Sequence, residues 1–149
     1  MGIFMGTTQI SAERTVGQVQ ELLARNNASQ VLTEYETGQV SAVSFTMVIA
    51  GRQIPFRLPC RYKAIASQID QKPREDGEEY EKRLRRIAWR QLYRWIEAQC
   101  ALIETGMVAT EEVFMPYIQG RNGQTLFENF QKNTQAMLGY DKKSNPESK

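Results

Sequence analysis

Apolar positions at Val16, Val19, Leu22 and Leu23 repeat at helical spacing and predict a helix with one buried stripe. Thr15 is its candidate N-cap, with Gln18 at capping-box distance, and Asn26-Asn27 ends it, because Asn tolerates the left-handed conformation. Upstream, Thr7 to Ser11 reads as a short edge strand. The period then changes to two. Val31 to Tyr35 is a predicted strand, Glu36-Thr37-Gly38 a turn, and Gln39 to Ile49 a second strand. From Val43 onward, positions 43, 45, 47 and 49 share one face and Ser44, Thr46 and Val48 the other. Gly51-Arg52 turns the chain, and Gln53 to Leu58 returns with Ile54, Phe56 and Leu58 on one face. Pro55 lacks an amide donor, which assigns this strand to an edge or a bulge.

Tyr62 to Gln71 reads as a short helix and the polar run Lys72 to Gly77 as a mobile loop. Glu78 to Thr105 contains neither Pro nor Gly and predicts a helix of about seven to eight turns, stopped at Gly106. Two apolar stripes run along it, one through Leu84, Ile87 and Trp95 and one through Trp89, Tyr93, Ile96 and Cys100. That is the pattern of a helix packed on two sides. Thr110 can cap a short helix, Gly120 to Gly123 is a turn, and Thr125 to Phe130 is a last apolar segment. The prediction is an α+β domain over 7–131. Its antiparallel sheet of three or four strands packs against the N-terminal helix and the long helix. A flexible leader (1–6) precedes it and a polar, disordered tail (132–149) follows.

Composition sharpens this picture mainly by exclusion. Of 149 residues, 41% are apolar, enough for a core, and histidine is absent. Without histidine there is no Ser-His-Asp or Cys-His nucleophile and no HExxH metal site. Two cysteines, Cys60 and Cys100, are too few for a four-thiolate zinc site and suit a reducing cytosol, although a bridge between them stays open. Neither GxxxxGK[ST] nor GxGxxG occurs. No cofactor, no metal and no catalytic constellation are expected. No apolar run approaches the ~18 residues of a membrane span, and the expected location is cytoplasmic.

Charge distribution adds the one positive signal. Five acids (Glu75, Asp76, Glu78, Glu79, Glu81) are followed by Lys82, Arg83, Arg85, Arg86, Arg90 and Arg94. Glu78–Lys82, Glu79–Arg83 and Glu81–Arg85 can pair at i,i+4. Arg86, Arg90 and Arg94 stack four apart with no acid four residues before them, and only Arg94 finds one ahead, in Glu97. Trp89 and Tyr93 lie between them. Arginines beside aromatic rings suit contact with phosphates and bases. A solvated basic face and a docking face for an acidic protein remain alternatives. Arg57, Arg61 and Lys63 extend the basic patch if the sheet edge lies beside the long helix.

Gly51-Arg52-Gln53-Ile54-Pro55-Phe56-Arg57-Leu58-Pro59 resembles the G-R-x-I-x-F-x-L-P segment of small, largely uncharacterised proteins of bacteriophages and integrative elements. Trp89-Arg90-Gln91-Leu92, Ile96-Glu97-Ala98, Ile103-Glu104-Thr105-Gly106 and Glu111-Glu112-Val113-Phe114 resemble that family's second block. The resemblance implies a mobile-element setting inside a bacterial host cell and carries no catalytic residues over. The expected function is non-catalytic binding of nucleic acid, or of a nucleic-acid–protein complex. Arg83, Arg86, Arg90 and Arg94 would contact phosphates, and Trp89 or Tyr93 would stack. Alternatives are a protein-binding inhibitor of a host defence system, such as an anti-CRISPR protein, and an oligomeric structural subunit.

Overall fold

The computed structural model describes residues 2–134 and 138–139. Helix α1 (Ala12–Arg25) leads into a meander of β1 (Ala28–Glu36), β2 (Gln39–Ile49) and β3 (Arg52–Pro59). A 3-10 segment (Tyr62–Ser67) and a polar loop precede α2 (Gly77–Glu104), followed by α3 (Thr110–Phe114) and α4 (Leu126–Lys132). The sheet is antiparallel with order β1-β2-β3. The α+β reading, with its N-terminal helix, meander sheet and long helix, holds.

Helix α1 starts one turn earlier than the apolar stripe suggests. Ser11 is the N-cap, its Oγ accepting the Arg14 amide at 3.1 Å. Thr15 is therefore an interior residue, fully buried with its Oγ1 unpartnered by the protein. Asn27 leaves the helix at φ 76°, the left-handed exit expected of Asn. Thr7–Ser11 forms no strand. Gly6 N donates to Ile3 O at 2.9 Å and Thr8 N to Met5 O at 3.2 Å, so local turns take the place of sheet pairing. The helix expected over Tyr62–Gln71 shortens to the single 3-10 segment.

On β2, Val43, Phe45 and Met47 face the core and pair across to Leu58, Phe56 and Ile54 of β3. One extra β2 residue, Ser41, bulges where Glu34 faces Ala42 and Tyr35 faces Val40. The shift brings Val40 onto the core face although it is out of step with the odd positions downstream. The β2–β3 turn places Ala50 at φ 52° and Gly51 at φ 77°, the left-handed pair that two-residue hairpins favour. Pro55 sits on the edge strand as its missing amide requires, and its carbonyl accepts Gln119 N at 2.8 Å.

One core joins α1, the inner face of the sheet, α2 and α3. Phe45 stacks on Phe56 at 4.9 Å between centroids, and Phe114 meets both rings edge-on. Trp89 is completely buried, its indole N–H reaching the Val40 carbonyl at 3.4 Å. Helices α1 and α2 run side by side in the same direction. Ser11 and Ala12 lie near Lys82 and Arg86, Gln18 meets Arg90, and Arg25 lies within electrostatic reach of Cys100. Positions 135–137 and 140–149 of the expected tail lie outside the described residues.

Candidate functional site

Asp76 caps α2 by accepting Glu79 N at 2.8 Å, and Glu78 and Glu79 occupy the favourable first turn. Beyond the cap, the basic residues separate into different environments. Arg83 does not use Glu79. It grips Glu75 with two hydrogen bonds of 2.8 Å, Nε to Oε2 and Nη2 to Oε1, and donates from Nη2 to the Asp70 carbonyl at 2.9 Å. The Arg83 hydrogen bonds hold the Glu75 carboxyl down at about 2. This fork ties the 68–76 loop to the helix, with Tyr80 Oη adding a bond to the Ile69 carbonyl at 2.7 Å. Arg83 is thus internally neutralised.

The expected outward row of Arg86, Arg90 and Arg94 does not form as a unit. Arg90 is only 6% exposed, donates to the Gln18 side chain and lies 4.7 Å from the Tyr93 ring centroid. Arg94 is exposed and bound to Glu97 at 2.8 Å. Tyr93 Oη donates to Glu97 at 3.2 Å, and its ring is flanked by both guanidiniums. Trp89 is enclosed in the core and offers no surface for a base. The four-residue spacing groups Arg90 in one row with Arg86 and Arg94. The α1 helix, docked parallel to α2, covers that side instead.

Arg57 lies on the outer sheet face, bound through Nε to Glu34 at 2.9 Å. Burial pushes the Glu34 carboxyl up, and hydrogen bonds from Arg57 and Ser44 more than offset it, leaving it below its ordinary value. Arg61 and Lys63 are exposed at the start of the 3-10 segment. Arg61 lies 5.7 Å from the Phe127 ring centroid. Tyr62 between them faces α2, with the Arg85 guanidinium 4.3 Å from its ring centroid and Arg85 Nη2 donating to its hydroxyl at 3.0 Å. The 3-10 segment, rather than the sheet edge, packs beside the long helix, so Arg61 and Lys63 come near α2 while Arg57 stays apart on the outer sheet face.

Arg86 differs from its neighbours. Its Nε is fully buried and has no hydrogen-bond partner in the protein. An unmade bond at a buried donor costs about 1–3 kcal/mol, and more when the group is charged. Arg86 lines a cavity of about 300 Å³ with Lys82, Arg85, Gln39 and the first residues of α1, Ser11, Ala12 and Glu13. A second hollow of about 310 Å³ is lined by Glu36, Cys60, Arg61, Tyr62, Lys63 and Ala64. The Arg85–Tyr62 stack connects the linings of the two. Five cationic side chains (Arg61, Lys63, Lys82, Arg85, Arg86) therefore gather at one end of the molecule. Among the described residues, only Arg85 of these five has a carboxylate within ion-pair distance, Glu81 at 3.6 Å. The sequence reading placed Arg85 in a helix-surface pair and left Lys82 outside the candidate contacts. Both belong to this end because α1 and the 3-10 segment converge on the first turns of α2.

Both cysteines are free thiols. Burial pushes Cys60 up to about 12 and Cys100 up to about 11, so neither is a thiolate nucleophile at neutral pH. Among the described residues no group of His, Cys, Asp or Glu could hold a metal ion, and no helix is long and apolar enough to cross a membrane. Comparison of the chain with protein-family models, curated proteins and solved structures gives no match.

Proposed function

We propose that the protein is a non-catalytic binding module for nucleic acid, or for a nucleic-acid–protein complex, engaged at the end where Arg61, Lys63, Lys82, Arg85 and Arg86 gather. The supporting observation is that four of these cations have no carboxylate within ion-pair distance among the described residues, whereas Arg57, Arg83 and Arg94 each have one. Unneutralised cations clustered over two hollows suit a partner that releases counterions as it binds. The contact set thus shifts from the helix row towards its first half and the 3-10 segment. A bacteriophage or mobile-element setting is supported by the resemblance of the β3 segment.

The test is binding of labelled single- and double-stranded oligonucleotides across a salt series. Affinity is expected to fall steeply with salt, and Lys63→Glu with Lys82→Glu to weaken binding about tenfold or more and to flatten the salt slope. Both side chains are exposed, so the fold should tolerate the change. Unchanged binding in this double variant overturns the reading.

A second reading, a protein-binding inhibitor of a host defence system, has its own observation. Leu32 (65% exposed) and Val48 (59% exposed) lie on the outer face of the sheet. Nuclease-treated pull-down separates the two readings, because a partner that survives the nuclease favours protein docking.

A further inference from the structure

We infer that the cavity between the start of α1 and the first turns of α2 is a phosphate-binding pocket. It rests on the proposed nucleic-acid reading and assigns one phosphate group to a defined place. Lys82, Arg85 and Arg86 line the cavity, against a single acid, Glu13. Lys82 and Arg86 have no carboxylate within ion-pair distance among the described residues, and the buried Arg86 Nε has no partner in the protein. Cationic side chains that line a cavity without a carboxylate partner are matched by an oxyanion that accepts several hydrogen bonds at once.

The floor of the cavity adds donors of a second kind. Ser11 Oγ takes the Arg14 amide and the Ser11 carbonyl takes the Thr15 amide. The amides of Ala12 and Glu13, in the first turn of a 14-residue helix, have no place in its hydrogen-bond ladder. Both residues line the cavity, where the positive end of the α1 dipole reinforces the side-chain charges. The volume of about 300 Å³ exceeds that of a bare phosphate and leaves room for the attached sugar. Arg85 is held in place by its stack on Tyr62, so part of the pocket is rigid before any ligand arrives.

The probe is inorganic phosphate, followed by amide and arginine-Nε NMR signals of the full chain, with chloride at matched ionic strength as control. Saturable shifts at Ala12, Glu13 and Arg86 Nε–H, absent with chloride, are expected in the millimolar range typical of a single small anion. Arg86→Gln should weaken them about tenfold, while Arg86→Lys retains part of the affinity. Lys82→Gln, at an exposed position, should weaken them less and guards against an Arg86 variant that fails to fold. No saturable shift at these groups overturns the pocket. If oligonucleotides still bind in that case, the nucleic-acid reading stands without it. Phosphate shifts with no oligonucleotide binding at any salt support the pocket and overturn the nucleic-acid reading.

Discussion

The Arg90 guanidinium donates to the Gln18 side-chain oxygen across the interface of α1 and α2, almost entirely out of solvent. No carboxylate lies within ion-pair distance of Arg90 among the described residues, and its second favourable contact is the Tyr93 ring. The arginine stem fills the space between the helices while the head meets a neutral acceptor. Arg90→Ala leaves Gln18 unpaired and opens a gap, with an expected cost of about 2–3 kcal/mol. Arg90→Met combined with Gln18→Leu replaces both polar partners by apolar groups of similar length and should recover most of that loss. Urea denaturation of the wild type, single variants and double variant measures the coupling. Strictly additive effects would show that the two side chains do not support one another.

Trp89 is the larger structural anchor of the same helix. Trp89→Ala should cost about 3–5 kcal/mol, the usual range for emptying a fully enclosed aromatic site. In a Trp95→Phe protein, Trp89 is the only remaining tryptophan. Its emission should be blue-shifted, weakly quenched by acrylamide and unaltered by added oligonucleotide. Strong quenching would place the indole at the surface and return it to the set of stacking candidates.

Acid stability should report the Arg83–Glu75 fork. Glu75 titrates near 2 in the folded chain, against an ordinary value of 4.5. A carboxyl lowered on folding adds stability that is present above its unfolded value and is lost as pH falls through the folded one. The fork's contribution is therefore complete above about 4.5 and fades towards 2. Glu75→Gln should lower Tm at neutral pH, and the gap between variant and wild type should close across that window. A gap that is constant with pH would mean that the fork does not couple to folding.

The strands and the long helix were legible because their signals are local. Period-two alternation from Val43 to Ile49 and the break-free run from Glu78 to Thr105 each need one element only. What sequence missed depends on neighbours brought in from far along the chain. Arg83 chose Glu75, in the preceding loop, over the helical partner Glu79, because the fork also reaches the Asp70 carbonyl. Arg90 shares its four-residue spacing with Arg86 and Arg94, but α1 covers it with Gln18. The cation-lined cavity is built from α1, the β1–β2 turn region and α2, so no single spacing encodes it.

Thr15 offers a test in which the two boundary assignments predict opposite signs. As an N-cap, its hydroxyl would satisfy a first-turn amide, and removing it would cost about 1 kcal/mol. In the structure that task belongs to Ser11, and Thr15 lies inside α1, fully buried with Oγ1 lacking a protein partner. Thr15→Val keeps the shape and removes the unpaired hydroxyl, so the variant should be more stable by about 1 kcal/mol. Ser11→Ala should lose about that amount, because the Arg14 amide then loses its acceptor. Thermal and urea denaturation of the two variants decide the matter. A destabilised Thr15→Val beside an unaffected Ser11→Ala would move the helix start one turn later and detach Ala12 and Glu13 from the phosphate pocket.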